Sequence, residues 1–367
     1  MSRSTAPLFA PFALGKLSLP NRIVMAPMTR SFSPGGVPGE DVVAYYRRRA
    51  ENDVGLIVTE GTVIDHPAAA SDPRVPRFHG ADALSGWSRV VAAVHEVGGR
   101  IMPQIWHVGT MRKAGSLPNV EAPPAGPSGL FKPGKKVGEP MTEAEVAYLV
   151  DAYGRAAGEA MRLGFDGVEI HGAHGYLIDQ FFWDGTNVRD DAFGGDLVAR
   201  TRFAADIVRA CRRATAPGFP ILLRFSQWKQ QDYTARLAPT PDLLMKFLAP
   251  LADAGVDIFH CSTRRFHEPE FGGSTLNLAG WTKKLTGKPV ITVGSVGLDG
   301  DFFGFNKGQR TGATSIDALI EMVERKEVDL VAVGRALITN PDWVPRVRAG
   351  DLAALRGYAS EDLTTLA

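Results

Sequence analysis

Eight short apolar runs alternate with helical patterns along this chain, and no other feature of the sequence restricts the fold so strongly. The runs are rich in valine and isoleucine and almost continuously apolar, which is typical of parallel strands that are buried on both faces. We predict strands at Ile23–Pro27, Gly55–Glu60, Arg100–Trp106, Gly167–His171, Ile221–Ser226, Ile258–Ser262, Val290–Val293 and Leu330–Val333.

The segments between these runs carry helix signals. Thr142 and Glu145 form a capping-box pattern ahead of apolar residues spaced three and four apart, and Thr240 precedes a proline where a second helix begins. We expect Pro250 to kink or shorten that second helix. Eight strands that alternate with helices predict a (β/α)8 TIM barrel. We expect residues 1–367 to form one domain with a hairpin-like N-terminal lead-in.

A doubly wound sheet is the competing fold. It usually carries a glycine-rich G-x-G-x-x-G turn after an early strand, and no such turn follows Ile23–Pro27. In a barrel, the loops that follow the strands form the active-site face. Two long loops, 107–141 and 263–288, follow predicted strands, so we expect these insertions to cap the active site.

The composition excludes several classes of function. The 367 residues are 44% hydrophobic with a formal net charge of +1, which gives no electrostatic case for binding nucleic acid or an anionic membrane. Two cysteines, Cys211 and Cys261, are too few for a disulfide framework or an iron–sulfur cluster. The N-terminus lacks the apolar segment of a signal peptide, and no apolar run approaches the ~18 residues that span a bilayer. We therefore expect a cytoplasmic protein.

Three polar side chains follow the fourth predicted strand within a short stretch. His171, His174 and Tyr176 lie where this strand passes into a loop. Two imidazoles can donate hydrogen bonds to a substrate oxygen, and a phenol beside them can give a proton, which suits an electron-poor carbonyl or nitro compound. Imidazole is also the commonest metal ligand, so a metal-dependent hydrolase site that includes His260 is an alternative.

The ends of other predicted strands suit a phosphorylated cofactor. The strand ends of a barrel converge on one face, and the loops after strands seven and eight usually bind phosphate. Those two loops begin with a Gly-Ser and a Gly-Arg pair, which combine close backbone approach with a cation. Further strand ends carry groups that suit a ring with carbonyl and N–H groups, as in flavin mononucleotide (FMN). These residues are Thr29, Gln104 and Arg224.

Several longer runs match a known family. They are Leu8–Phe12, Leu19–Arg30, Thr59–Gly61, Gln104–Gly109, His171–Phe181, Asn187–Gly195, Arg224–Ser226 and Gly334–Asp342. On these runs the chain resembles the Old Yellow Enzyme family of FMN-dependent ene-reductases over nearly its whole length. The resemblance implies tightly but non-covalently bound FMN, NADPH or NADH as reductant, and an electron-poor alkene as the small-molecule substrate of a ping-pong cycle.

The resemblance also implies roles for individual residues. The residues expected to contact the cofactor are Ala26, Pro27, Met28, Thr29, Gly61, Gln104, His171, Arg224, Gly294, Ser295, Gly334 and Arg335. The last two pairs of this set would hold the phosphate. The residues expected to contact the substrate are His171, His174, Tyr176, Trp106 and Thr29. Within that second set the two histidines would bind the substrate oxygen, and Tyr176 would donate the proton.

Three parts of the chain depart from the family pattern. They are the stretch after the tyrosine, Phe182–Thr186, the run Gln227–Tyr233 and the loop 263–288. Thr29 also stands where another branch of the family has cysteine. These departures leave the physiological substrate and the stereochemistry open, as well as a role in reducing nitrate esters or nitroaromatics. The choice between NADH and NADPH and the oligomeric state stay open too.

Two further alternatives stay open beside the metal-dependent hydrolase. One is a larger relative with iron–sulfur and FAD domains, which two cysteines argue against. The other is a non-enzymatic flavin binder, which would be expected to lack the tyrosine or the histidine pair.

Overall fold

The computed structural model describes residues 3–300 and 311–367. In chain order its strands are β1 (Phe12–Leu14), β2 (Leu17–Leu19), β3 (Ile23–Met25), β4 (Leu56–Val63), β5 (Ile101–Trp106), β6 (Leu130–Lys132), β7 (Lys135–Lys136), β8 (Val168–His174), β9 (Ile221–Lys229), β10 (Ile258–Ser262), β11 (Val290–Val293) and β12 (Leu330–Val333). Eight of them close into a barrel in the order β10-β11-β12-β3-β4-β5-β8-β9, and every pair is parallel. The predicted TIM barrel and its eight strands are confirmed.

Three strands run further than the sequence predicted, and one of them is β4, which continues past Glu60 to Val63. β8 continues past His171 to His174, and β9 continues past Ser226 to Lys229. β8 and β9 keep pairing along these extensions, after a register shift between Gly172 and His174. This shift is a bulge-like irregularity of the kind that often redirects side chains beside functional sites.

Helices surround the barrel. They are α1 (Glu40–Glu51), α2 (Ala81–Glu96), α3 (Glu143–Arg162), α4 (Leu177–Phe182), α5 (Arg202–Ala214), α6 (Pro241–Ala254), α7 (Leu278–Thr286), α8 (Asp317–Glu324), α9 (Arg335–Thr339) and α10 (Trp343–Ala349). The predicted capping box begins α3, since the Thr142 hydroxyl accepts from the Glu145 N–H and the Glu145 carboxylate accepts from the Thr142 N–H. α6 runs through Pro250 to Ala254, so the proline does not shorten it.

The N-terminal lead-in is a hairpin that closes the amino end of the barrel. β1 and β2 pair antiparallel, and Leu17 and Leu19 of β2 are almost fully buried. Both pack in one apolar cluster with the residues that fill the barrel interior. These interior residues are Val24, Ala26, Leu56, Val58, Met102, Leu222, Ile258, Ile291, Val293, Leu330 and Ala332.

The two long loops differ in content. Residues 107–141 contain a 3-10 turn at Gly109–Met111 and the β6–β7 hairpin. The second loop is shorter than the 263–288 expected, because its last part is helix α7, which the Asn277 side chain caps by accepting from the Gly280 N–H at 2.9 Å. In the part of the chain that the structure describes, no helix is both long and apolar enough to cross a membrane.

We predict that Leu19→Ala lowers the free energy of unfolding by roughly 2–5 kcal/mol, because it leaves a cavity beneath the barrel interior. The FMN content of the folded protein should not change, since the hairpin lies at the end of the barrel opposite the strand carboxyl ends. Urea unfolding and flavin absorbance measure the two quantities. Met245→Ala, on the exposed face of α6, is the control; an equal loss in both variants would contradict the role of the hairpin.

Candidate active site

A cavity of about 570 Å³ opens at the carboxyl ends of the barrel strands. It brings together every residue that the sequence predicted for the cofactor and substrate sites, and His260 of the metal-site alternative is outside its lining. Those lining residues are Ala26, Pro27, Met28, Thr29, Gly61, Gln104, Trp106, His171, His174, Tyr176, Arg224, Gly294, Ser295, Gly334 and Arg335. They come from seven of the eight strands or the loops directly after them, which is how a barrel assembles a site from distant parts of the chain.

The rings of His171, His174 and Tyr176, at the carboxyl end of β8, face one another. The His171 ring lies 5.2 Å from the His174 ring and 5.1 Å from the Tyr176 ring between centroids, and both pairs meet edge to face. Trp106 stacks beside His171 at 6.1 Å and meets Tyr176 edge-on at 4.9 Å. Gly61 leaves room for this tryptophan, because a Cβ there would lie 2.6 Å from the indole.

His171 is a neutral hydrogen-bond donor. Burial lowers the pKa of its imidazole well below the ordinary value, and the nearby Arg224 and His260 lower it further. Its Nδ1 accepts from the Ala173 backbone N–H at 3.3 Å, so the ring proton belongs on Nε2. The ring therefore has one N–H left to offer within the cavity.

A short chain of hydrogen bonds links Arg224 to His174. The Arg224 guanidinium donates to the Ser262 hydroxyl at 3.2 Å, and that hydroxyl lies 2.7 Å from His174 Nε2. A guanidinium can only donate, so the serine hydroxyl is free to donate its own proton to Nε2. Burial, with Arg224 next in weight, holds the pKa of His174 well below its usual value. Where the hydroxyl donates to Nε2, the neutral ring carries its proton on Nδ1.

Tyr176 is a neutral phenol at physiological pH. Burial raises the pKa of its hydroxyl, and the neighbouring Gln230 side chain and Arg224 charge lower it in part. A phenol in this state keeps its proton until a stronger base forms beside it. This ring meets the His171 ring edge to face, and the phenol and both imidazoles line the same cavity.

A buried network lies under the cavity floor, and the sequence analysis did not identify it. Glu169 is fully buried inside the barrel, where Gln104 Nε2 donates to Oε1 at 2.8 Å and His260 Nδ1 lies 2.7 Å from Oε2. Burial raises the pKa of Glu169, but His260, Arg224 and Gln104 outweigh it, so the net shift is downward. The signal in the sequence was a carboxylate between two apolar residues of a buried strand.

The loop after β3 is fixed by a second buried carboxylate. Glu60 Oε2 accepts from the backbone N–H groups of Arg30 and Ser31 at 2.9 and 3.1 Å. These bonds hold the segment that carries Met28 and Thr29 along the cavity wall. Burial raises the pKa of Glu60 to about 7, although the two N–H donors act in the opposite direction.

The residues predicted to bind phosphate lie after β11 and β12. Arg335 Nη2 donates to the Ser295 hydroxyl at 3.2 Å and to the Gly300 carbonyl at 2.8 Å. Gly294 has φ +148°, and a Cβ there would lie 2.7 Å from Thr263, so glycine is required. Gly334 has no such contact under 3.5 Å. The two glycines and the guanidinium together form a small, positively charged cradle suited to a phosphate.

The residues fit FMN on several independent observations. Gln104 donates its amide N–H to Glu169, which leaves its carbonyl oxygen to accept from a ring N–H. Arg224 Nε is buried in the cavity wall and lacks a hydrogen-bond partner within residues 3–300 and 311–367. The cradle at Arg335 is at the phosphate position expected in this fold. The metal-dependent alternative lacks support, because the described ranges hold no cluster of three His, Cys, Asp or Glu side chains able to bind a metal.

Several residues of the cavity wall were not predicted. Trp228, Gln230 and Ser262 come from the ends of β9 and β10, and Tyr358 and Leu363 come from the C-terminal segment. Trp228 and Gln230 lie in the run Gln227–Tyr233, whose departure from the family pattern was the sequence signal for them. Nothing in the sequence indicated that the C-terminal segment reaches the cavity.

A flavin-binding barrel is the class that this fold and cavity define. The family model described as NADH:flavin oxidoreductase / NADH oxidase matches residues 7–352. The chain is 32% identical to 12-oxophytodienoate reductase 7 of Oryza sativa subsp. japonica, covering 98% of this chain and 92% of that protein. Morphinone reductase in complex with tetrahydroNAD superposes with a TM-score of 0.80 at 30% identity, covering 97% and 93% of the two chains.

The old yellow enzyme homologue of Zymomonas mobilis superposes similarly, with a TM-score of 0.79 at 27% identity, covering 97% of this chain and 96% of that one. The chain therefore belongs to the NADH:flavin oxidoreductase / NADH oxidase family. It is an NAD(P)H-dependent flavin oxidoreductase of the Old Yellow Enzyme type, with FMN as its cofactor. The family resemblance identified from the sequence is confirmed.

We predict that Glu60→Gln changes how stability depends on pH. The carboxyl pKa is about 7 in the folded protein against 4.5 ordinarily, so the folded state binds the proton more tightly. Its contribution to stability is present below pH 4.5 and is lost as the pH rises through 7, by roughly 3 kcal/mol at about 1.4 kcal/mol per pKa unit. Urea unfolding gives the free energy of unfolding of both proteins at pH 5 and pH 8. The difference between wild type and variant should fall by this amount between the two pH values. Parallel pH curves would contradict the assignment.

Proposed function

We propose that the protein reduces the C=C bond of α,β-unsaturated carbonyl or nitro compounds with electrons from NADPH or NADH. The observation that carries this proposal is the arrangement at the end of β8. Two neutral imidazoles, those of His171 and His174, lie beside the neutral phenol of Tyr176. This set of groups can hold an oxygen and protonate a nearby carbon.

We infer that the cofactor lies along the cavity floor. Residues 26–29 and Gly61 would line the flavin ring, Gln104 and Arg224 would contact its pyrimidine part, and the cradle at Arg335 would hold the phosphate. The buried charge of Arg224 near this ring favours negative charge on it, because a cation in a low-dielectric site acts strongly on its neighbours.

The chemistry divides between cofactor and protein. Bound FMN supplies hydride transfer, accepting from NAD(P)H and delivering to the alkene β-carbon. As negative charge develops on the substrate oxygen, the N–H groups of His171 and His174 stabilise it, as an oxyanion hole would. Tyr176 then gives its phenolic proton to the α-carbon. Trp106 closes one side of the cavity, so the substrate is held against both groups.

We infer a ping-pong cycle, because the reductant and the alkene would share the cavity lined by His171. The reductant and the alkene would both need the space beside the His171 ring, so one must leave before the other enters. Morphinone reductase was solved with tetrahydroNAD, a nicotinamide analogue, which supports binding of the reductant to a barrel of this shape. Nitrate esters and nitroaromatics form a second candidate class, since the same two N–H donors could hold a nitro oxygen.

An anaerobic absorption experiment tests the proposal on the purified, FMN-loaded protein. NADPH is added, then cyclohexenone, while the flavin band near ~450 nm is followed; this band belongs to the cofactor. Bleaching and then recovery are expected. Bleaching without recovery would reject alkene reduction and leave a flavoprotein with another oxidant, for which nitrobenzene is the next probe.

We predict that Tyr176→Phe slows recovery of the flavin band by cyclohexenone about 10²-fold or more, the usual contribution of a positioned general acid. Bleaching by NADPH should keep its wild-type rate, because that step needs no proton from the phenol. Stopped-flow absorbance separates the two steps. An unchanged rate of recovery would remove Tyr176 from the mechanism and require a proton from solvent.

A further inference from the structure

The run that departs from the family pattern, Gln227–Tyr233, lies directly against the substrate-binding residues. β9 extends through this run to Lys229 and pairs there with His174. Ser226 Oγ accepts from the His174 backbone N–H at 2.9 Å, and the Gln230 N–H donates to the His174 carbonyl at 3.3 Å. The backbone of His174 is thus held on both sides by residues of β9 and its extension.

Side chains of the same run hold the next residues. The Trp228 ring stacks on the His174 ring at 4.7 Å between centroids. Gln231 Nε2 donates to the Gly175 carbonyl at 2.7 Å. The Gln230 side chain lies close enough to Tyr176 to influence the phenol, and it lines the cavity. The three successive residues His174, Gly175 and Tyr176 therefore each interact with a side chain from this run.

The residues held in this way have an unusual backbone. His174 has φ +65° and Gly175 has φ +79°, so two consecutive residues are in the left-handed region. This region is disfavoured for a residue with a Cβ, and it persists where surrounding contacts determine it. A Cβ on Gly175 would lie 1.8 Å from Gln231 Oε1, so a side chain there would displace the Gln231 amide.

A fully buried ion pair joins the run Gln227–Tyr233 to the left-handed turn at His174 and Gly175. Lys229 Nζ lies 2.5 Å from Asp179 Oδ1, and both side chains have zero exposure. The other oxygen of Asp179 accepts from the Gly175 N–H at 2.6 Å. A buried ion pair contributes little net stability, because removing both charges from water is costly. Its geometry, however, ties the end of β9 to the glycine between His174 and Tyr176.

We propose that the segment Ser226–Gln231, anchored by the Lys229–Asp179 ion pair, is a positioning element that holds His174 and Tyr176 in register with each other. Lys229, Asp179 and Gln231 are positioning residues, because they act through the turn and not on the substrate. The consequence is that β9 and its extension set the distance between His174, the proposed oxygen-binding group, and Tyr176, the proposed proton donor. Neither of these two residues belongs to β9.

The proposal rests on the alkene reduction proposed above, and its test separates the two. Lys229→Met with Asp179→Asn removes both charges and keeps an oxygen that can accept from the Gly175 N–H. Lys246→Met with Asp242→Asn removes a similar pair, 2.8 Å apart, on the exposed face of α6 and is the matched control. Gln231→Ala is a second, milder variant at a partly exposed position.

Three quantities are measured on FMN-loaded protein: the rate of flavin recovery with cyclohexenone per bound flavin, its solvent deuterium isotope effect, and amide exchange of residues 171–181. We expect recovery in the Lys229/Asp179 variant to slow about 10- to 100-fold, the usual effect of a misplacement near 1 Å. The isotope effect should rise because proton transfer becomes limiting, and amide exchange over the turn should quicken. Gln231→Ala should change all three in the same direction, and the control should match the wild type.

Each outcome bears on one proposal. Wild-type protein that does not recover with cyclohexenone rejects the proposed function. Wild-type recovery together with unchanged rates and isotope effects in the variants overturns the positioning role, as does faster amide exchange without any change in the isotope effect. If the double variant does not fold, Gln231→Ala decides the matter alone, and an unchanged isotope effect in it overturns the proposal.

Discussion

The pairing of β12 with β3 is the constraint on which the site depends. The first and last barrel strands pair in parallel from Val331–Ile23 to Val333–Met25, and this closes the barrel. Closure places the turn after β3, which carries Met28 and Thr29, beside the turn after β12, which carries Gly334 and Arg335. An open sheet of the same strands would leave these turns at opposite edges, and no cavity would join a ring-binding wall to a phosphate cradle.

Burial determines the chemistry of the groups in that cavity. Removal from water favours the uncharged form of each titratable group. The two histidines are therefore neutral imidazoles, each with one N–H, and the tyrosine is a neutral phenol. Arg224 acts in the same direction on the imidazoles. Neutral donors of this kind suit the proposed reduction of an activated alkene, because the phenol is then the group beside them that can give up a proton.

The fold and most of the cavity lining could be predicted because their signals are local. Apolar runs mark buried strands, and the residues after them reach the same face in any parallel barrel. The supporting groups could not be predicted, because they depend on which strand ends become neighbours. Glu169 meets Gln104 and His260 only across the barrel interior, and Ser262 reaches His174 only because β9 and β10 are adjacent.

The sequence by itself determined the strand number, the barrel and the identity of the groups after β8, since each follows from periodicity or from residue type at a strand end. The tertiary structure alone decided the protonation states, the tautomer of His171 and the left-handed turn at His174 and Gly175. The physical reason is that these properties are set by burial and by hydrogen bonds between residues tens of positions apart, and such contacts exist only after the chain has folded.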